Sequence, residues 1–327
     1  MILALAGGVG GAKLAAGLYA SLPPDALTVV VNTGDDFDLY GLRISPDADT
    51  VLYTLAGLAN PEAGWGIAGD TFETLSMLTR YGENPWFRLG DRDFATHILR
   101  TQRLREGWPP SHILAELTAA LGVRAALLPM CETPVATMVR TPAGELAFQD
   151  YFVARHHADE VLGVRFAGIE EAELPSAVRE AAESAAAVIF CPSNPVVSIG
   201  PILAVPGLRD LLRGLGSGRR CVPIVAVSPI VGGKALRGPA DRMLAGVGVE
   251  VSSFGVASLY RDLLAGIVID TQDAAEAGRI EALGIRTLVT NTIMGGNDDR
   301  KRLAGEVLAF AGELRGGAEC PREDGAS

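Results

Sequence analysis

LAGGVGGAKLAAGL, Leu5 to Leu18, follows the first apolar run of the chain and sets four glycines and a lysine between hydrophobic residues. Three kinds of segment look like this: a phosphate cradle, a dinucleotide fingerprint, and the apolar part of a signal peptide. A signal peptide needs a charged segment before its apolar run and a helix within it. No Lys or Arg precedes this stretch, Lys13 falls in its middle, and the glycines disfavour that helix. The stretch reads instead as the end of a strand (MILALA, Met1–Ala6), a tight turn, and a helix (AKLAAGLYASL). That is the opening of a βαβ unit.

The unit repeats. LTVVVN (Leu27–Asn32), AAVIFC (Ala186–Cys191), VPIVAVS (Val222–Ser228), AGIVID (Ala265–Asp270) and RTLVTN (Arg286–Asn291) are continuous apolar runs. Such runs suit parallel strands covered on both faces. Helical patterns separate the later strands at Leu174–Ser184, Ala240–Gly246, Ala274–Leu283 and Lys301–Leu314. The middle of the chain differs, with four successive helical patterns at Asp49–Leu58, Asp70–Tyr81, Asp93–Glu106 and Ser111–Leu121. Asp70 followed by Glu73 resembles a capping box at the start of the second. ALLPM, VATMVRT and ELAFQDYFV alternate more and are expected to form a small antiparallel element. The predicted architecture is a Rossmann-like, doubly wound, mostly parallel α/β sheet with a helical insertion and that antiparallel element. One domain is expected over 1–315, with the insertion at about 45–165 and a disordered tail at 316–327.

Ligands in such sheets bind outside the carboxyl ends of the strands. Four loops should therefore share one edge: GGVGGAK, NTGDDFD (Asn32–Asp38), PSNPVVSIGP (Pro192–Pro201) and PIVGGKALRGPA (Pro229–Ala240). The glycine loop fits neither standard template. A Walker loop requires G-x-x-x-x-G-K-[ST], but Lys13 follows Ala12 and precedes Leu14, so the magnesium-holding hydroxyl is missing. A G-x-G-x-x-G fingerprint beginning at Gly8 and Gly10 meets Lys13 where its third glycine belongs. What remains is the physics both share, glycines that admit a ligand and a helix N-terminus that favours an anion. The competing reading is a turn that packs helix against strand.

Asp35, Asp36 and Asp38 would repel a phosphate unless a divalent cation stood between them. Magnesium suits one or two carboxylates plus a substrate's own oxygens. Each acid is otherwise a solvated loop residue or cap, and Asp47 and Asp49 in ISPDADTVLY are candidate caps of the next helix. His97, in LGDRDFATHILR (Leu89–Arg100), is a candidate general base or a packed residue. No GxSxG or HExxH motif or Cys/His pair indicates covalent catalysis.

The formal net charge of −11 disfavours nucleic acid or an anionic membrane surface as partner. No run of about 18 apolar residues free of charge predicts a membrane span. Cys131, Cys191, Cys221 and Cys320 show no CxxC spacing, so neither a zinc site nor a disulfide framework is expected. The expected location is the cytoplasm.

Taken together, AGGVGGAKL, VVNTGDDFDLYGLRISPDADTVLYTL, WGIAGDTFETL, LGDRDFATH, PSNPVVSIGPIL and VSPIVGGKALRGPADRM resemble the 2-phospho-L-lactate transferase family of coenzyme F420 biosynthesis. The resemblance runs in order from Leu5 to about Asp270. It implies transfer of a phosphorylated three-carbon acid, lactate or enolpyruvate, from a guanosine diphosphate ester to the terminal ribityl hydroxyl of the 5-deazaflavin Fo. GMP would leave, magnesium would be required, and a homodimer is expected. On the same basis Gly7, Gly8, Gly10, Gly11 and Lys13 would hold the donor's diphosphate. Asn32, Ser193, Asn194 and Ser228 would complete the donor side. Asp35 or Asp36 would hold the metal and orient the hydroxyl, and Asp49 and Arg88 would contact the deazaflavin. More distant relatives that share the glycine loop are nucleotide-sugar-binding regulators, which gives the alternative reading.

Overall fold

The computed structural model describes residues 1–23, 25–217 and 221–317. The chain opens with β1 (Ile2–Ala6), α1 (Gly8–Ser21), β2 (Leu27–Val31) and a hairpin of β3 (Phe37–Leu39) and β4 (Leu42–Ile44). Four helices follow: α2 (Pro46–Leu55), α3 (Glu73–Arg80), α4 (Asp91–Arg105) and α5 (Pro110–Ala120). Next come β5 (Ala126–Pro129), β6 (Ala136–Thr141), β7 (Gly144–Ala147), β8 (Gly163–Ala167), α6 (Ser176–Ser184) and β9 (Ala187–Phe190). Then α7 (Ile199–Ala204) and α8 (Leu208–Ser217) lead to β10 (Ile224–Val227) and the short pair β11 (Ile230–Val231) and β12 (Lys234–Ala235). The chain ends with α9 (Ala240–Gly246), α10 (Ser253–Leu259), β13 (Gly266–Asp270), α11 (Ala277–Glu281), β14 (Arg286–Thr290) and α12 (Asn297–Gly317).

Seven strands form one parallel sheet in the order β14-β13-β10-β9-β1-β2-β5. Side chains alternate between its two faces, and both faces are buried. Leu3, Leu5, Val30, Val188 and Phe190 face one core with the α6–α10 helices. Ala4, Ala6, Val29, Val31 and Ile189 face the other, closed by α1, α2, α5 and α12. This is why the strands read as unbroken apolar runs. The α1 helix packs so closely on α12 that a Cβ at Gly17 would collide with the Arg300 carbonyl oxygen.

Two expectations needed correction. ALLP does not belong to the antiparallel element; as β5 it pairs in parallel with β2 at the sheet edge, Val31 opposite Pro129. Only β7-β6-β8 make the small antiparallel sheet. The expected insertion is thus interrupted by a strand of the main sheet. The capping box at Asp70 is also replaced. Asp91 accepts from the Glu73 and Thr74 N–H groups at the head of α3, while Asp70 accepts from Arg92 and Asp93 at the head of α4. Each helix is capped by the acid that precedes or opens the other.

Cys131 and Cys191 are free and buried, as expected, whereas Cys221 is disulfide-bonded, which was not. The tail reading for 316–327 falls beyond the described residues except at 316 and 317, which continue α12. No helix among the described residues is long and apolar enough to cross a membrane.

Candidate active site

The register aligns the strand ends that matter. Ala6 pairs with Val31, Leu5 with Phe190 and Ala226 with Phe190, so the four polar loops leave from one edge. The chain winds outward from β1 in both directions, through β2 on one side and β9 on the other. Between β1 and β9 lies the switch point, where this fold opens a crevice. The glycine loop and Pro192–Pro195 meet there, with the Gly7 N–H donating to Ser193 Oγ at 3.0 Å.

The glycines prove to be sites of close protein contact. A Cβ at Gly7 would strike Asp47, one at Gly10 the Pro192 carbonyl oxygen, and one at Gly11 the Ser193 hydroxyl. Gly8, at φ +61°, begins α1 in the left-handed region. Asp47 sits against this turn. It accepts from Asn32 Nδ2 at 2.9 Å and Ser198 Oγ at 3.1 Å, and the Gly8 N–H further favours its charged form. Burial still raises its pKa. A carboxylate of the protein thus lies at the head of α1, where an anion was expected.

Asn32 is fully buried and ties the edge together, donating also to the Val197 carbonyl at 3.1 Å and accepting from the Gly34 N–H at 2.9 Å. Ser228 is occupied within its own turn by Ile230 and by the Ser253 hydroxyl at 2.9 Å. Lys13 points along the flank of α1, donating to the Met294 carbonyl at 2.9 Å. Asn194 differs: its carbonyl oxygen accepts from Val196 and Val197, but its buried Nδ2 has no partner.

The carboxylates after β2 are likewise incompletely satisfied. Asp35 Oδ1 and Asp36 Oδ1 are buried without a hydrogen bond. Burial, reinforced by the Asp47 charge, pushes the Asp35 pKa well up. Burial raises that of Asp36 to about 7, against the pull of Arg43 and a 2.7 Å hydrogen bond from Ser45 Oγ. Asp36 lines a cavity of about 580 Å³ together with Thr33, Arg43, Ser45, Arg100 and Cys131. Asp38 is on the surface, 3.5 Å from Arg43.

Among the described residues, no group of three or more His, Cys, Asp or Glu could by itself hold a metal. A magnesium ion needs fewer protein ligands than that, because it keeps water and takes substrate oxygens. Two hard, orphaned carboxylate oxygens on adjacent residues, with their charges destabilised by burial, fit such an ion.

Asp49 and His97 lie deeper. Asp49 is 4% exposed and forms a two-pronged ion pair with Arg100, Nη2 to Oδ1 and Nη1 to Oδ2. His97 is 1% exposed, its Nδ1 3.2 Å from Arg100 Nη1 and its Nε2 3.2 Å from Asp93 Oδ1, with no hydrogen bond at Nε2. His97 is not on the wall of the Asp36 cavity; the geometry is that of a packed residue. Arg100, which sequence reading passes over, links Asp49 to that cavity. Its signal is the spacing Asp93, His97, Arg100, which puts all three on one face of α4. Arg88 lies elsewhere, exposed, its guanidinium 4.4 Å above the Phe72 ring. Asp47 reads from the sequence only as a cap, and nothing local distinguishes it from Asp49.

A doubly wound sheet with unsatisfied polar groups at the carboxyl edge of its strands defines a ligand-binding α/β protein. Residues 2–287 match the family model described as 2-phospho-L-lactate transferase CofD. The phosphoenolpyruvate transferase of Streptomyces griseus is 44% identical over 320 residues, 96% of this chain and 99% of that protein. The 2-phospho-L-lactate transferase of Methanococcoides burtonii is 39% identical over 309 residues, 94% of this chain and 99% of that one. A solved structure of BH3568 from Bacillus halodurans, of the UPF0052 family, superposes with a TM-score of 0.64 over 94% of this chain and 98% of its own. At 13% identity that likeness concerns the fold alone. The chain belongs to the CofD family and is one of its transferases, in coenzyme F420 biosynthesis.

Proposed function

We propose that the protein transfers a phosphorylated three-carbon acid from a guanosine diphosphate donor to the terminal ribityl hydroxyl of Fo, with magnesium as cofactor. The hydroxyl oxygen bonds to the distal phosphorus, the bond from that phosphorus to the bridging oxygen breaks, and GMP departs. The product is a phosphodiester, and the hydroxyl proton passes to a base. Such a transfer demands positioning and charge stabilisation more than a protein nucleophile. The observation that carries this reading is the pair of orphaned oxygens, Asp35 Oδ1 and Asp36 Oδ1. Asp35 and Asp36 would hold the magnesium, which when bound would offset the charge on the transferred phosphate. Asp36, which lines the cavity, would also orient the hydroxyl or accept its proton. Asn194 Nδ2 would donate to a donor oxygen. Arg88 would meet the deazaflavin, while Asp49 would act through Arg100.

Phosphoenolpyruvyl is the favoured acid, because the phosphoenolpyruvate transferases compared share 41–44% identity with the chain and the 2-phospho-L-lactate transferases 39–41%. The test is mass analysis after incubation with Fo, magnesium and a mixture of guanylylated lactate, enolpyruvate and glycerate. The expected result is Fo heavier by a phosphoenolpyruvyl group. Folded protein that modifies Fo with none of the donors would refute the transfer, and a lactyl product alone would refute the choice of acid.

A further inference from the structure

Val135, Thr137, Val139 and Thr141, in and just before β6, alternate along the strand and are all buried. Val135 and Val139 belong to the core on one face of the main sheet. The period of the strand thus asks for an apolar residue at 137, and a threonine stands there instead. Thr141 spends its hydroxyl on the turn to β7, donating to the Gly144 carbonyl at 2.8 Å and accepting from the Ala143 N–H at 3.2 Å. Thr137 is 1% exposed, and its hydroxyl makes no hydrogen bond. A buried hydroxyl without a partner costs free energy that a valine of the same shape would avoid. Residues that break a local pattern in this way are expected at functional sites.

The neighbour of that hydroxyl is the loop after β2. Strand β7 pairs with β6 only from Met138 onward, and at Thr137 the loop takes the open edge. There the Thr137 N–H donates to the Gly34 carbonyl at 2.7 Å. A Cβ at Gly34 would come within 3.0 Å of both Thr137 Oγ1 and Asn32 Oδ1, so the glycine admits the hydroxyl beside the backbone that leads into Asp35. The hydroxyl also favours the charged form of Asp35. Among the described residues, nine buried side-chain nitrogens and oxygens lack a hydrogen bond, and four of them sit here: Thr33 Oγ1, Asp35 Oδ1, Asp36 Oδ1 and Thr137 Oγ1. Such a concentration marks a place that a polar ligand completes. Thr33 is only half-buried and stands by the Cys131 thiol, while Asn32 Oδ1 already accepts from the Gly34 N–H. Thr137 supplies the uncommitted hydroxyl beside Asp35.

We propose that Thr137 belongs to the cation site, its hydroxyl giving a third protein oxygen to the divalent ion that Asp35 and Asp36 would hold. The ion itself rests on the proposed function; the hydroxyl's part in holding it is new. Magnesium takes hard oxygen donors and needs only one or two carboxylates among them, so a neutral hydroxyl suits the remainder. In a Walker loop that hydroxyl directly follows the lysine. Here Leu14 occupies that place, and the small antiparallel sheet brings a hydroxyl to the carboxylates from another part of the chain.

The test is metal binding to the whole protein without substrates, manganese(II) by electron paramagnetic resonance and magnesium by calorimetry. Wild type, Thr137→Val, Thr137→Ala and Thr137→Ser are compared. Wild type is expected to bind both ions. Thr137→Val should weaken binding about tenfold, and Thr137→Ser, which keeps the hydroxyl, should stay within about threefold of wild type. Thr137→Ala also lacks the hydroxyl and should match Thr137→Val in metal binding, whatever it does to stability. Without metal, Thr137→Val should melt no lower than wild type, because an unsatisfied hydroxyl gives way to a methyl group. A threonine that only packs would instead leave metal binding alike in all four proteins. Thr137 is removed from the cation site if Thr137→Val binds either ion as tightly as wild type, or if Thr137→Ser binds as weakly as Thr137→Val. Wild type that binds neither ion would overturn the metal in the proposed function together with the part given to Thr137, so the two failures are told apart.

Discussion

The two loops that follow β1 and β2 at the carboxyl edge of the sheet are built on opposite principles. After β1, nearly every polar group is satisfied by the protein itself. Gly7 N–H meets Ser193, Asp47 meets Asn32 and Ser198, and Gly10 and Gly11 lie hard against Pro192 and Ser193. After β2, two adjacent carboxylates keep buried oxygens with no partner, and burial opposes their charge. The first loop spends its unusual composition on rigidity. The second keeps unsatisfied chemistry in reserve, at a cost in stability, and such reserves are characteristic of functional sites. The most conspicuous motif in the sequence is thus chiefly a joint, and the plainer one beside it is the better candidate for the reaction centre.

Asparagine at the second loop should produce the largest effects, in opposite directions. Asp35→Asn and Asp36→Asn are each expected to lower magnesium-dependent turnover at least about a hundredfold, since a carboxylate supporting several kcal/mol of charge stabilisation is lost. Both should nevertheless raise the unfolding temperature at pH 8 without magnesium. The sign follows from linkage. The folded pKa of Asp36, about 7, lies above its ordinary value of 3.8, so between these values the folded protein binds the extra proton. The stability this proton brings is present below pH 4 and lost as pH rises through about 7, up to about 4 kcal/mol for such a shift. Melting curves from pH 5 to pH 8 should therefore fall more steeply in wild type than in Asp36→Asn, and magnesium should flatten the wild-type slope. Equal slopes with and without magnesium would remove the metal from these residues.

The joint should respond in the reverse sense. Gly10→Ala inserts a methyl group against a backbone carbonyl, which has little room to yield. A loss of about 1–3 kcal/mol is expected, as for other overpacked sites, read as a lower urea midpoint. Turnover at saturating substrate should fall far less than in Asp36→Asn, provided the assay stays well below the melting temperature. A neutral Gly10→Ala would mean that the loop is slack and that its glycines serve a ligand after all.

What sequence alone could and could not reveal follows the range of the forces involved. Strands such as Leu27–Val31 and Gly266–Asp270 were legible because every residue is buried, on alternating faces of one sheet. Ala126–Pro129 was misplaced for the same physical reason in reverse. It is an edge strand, exposed at Ala126 and half-buried at Leu128, and so mimics the period of an antiparallel strand. The cross-capping of α3 and α4 was hidden because Asp70 and Asp91 each accept from N–H groups some twenty residues away, whereas a capping box is local. Among the site residues, loops could be assigned to an edge, but not the direction of a side chain. Lys13, Ser228 and Asp49 sit in the segments expected to bind ligand, yet each is turned toward the protein. Asn194 alone of the donor-side polar side chains keeps an unpartnered buried donor.

The smallest expected effect tests whether the acceptor lies near the outer helices rather than in the buried pair. Arg88 is exposed, and its guanidinium rests on one aromatic ring, Phe72, itself 38% exposed. A cation–π contact at such a site contributes about 0.5–1 kcal/mol, so Arg88→Ala should leave the fold's stability nearly unchanged. If the guanidinium also meets the acceptor, the Michaelis constant for Fo should rise about fivefold while that for the donor moves less than about twofold. Arg88→Lys should recover little, because an ammonium does not stack on a ring as a guanidinium does. Equal changes for both substrates would detach Arg88 from the acceptor, and would turn attention to Arg100, which joins the buried Asp49 to the wall of the Asp36 cavity.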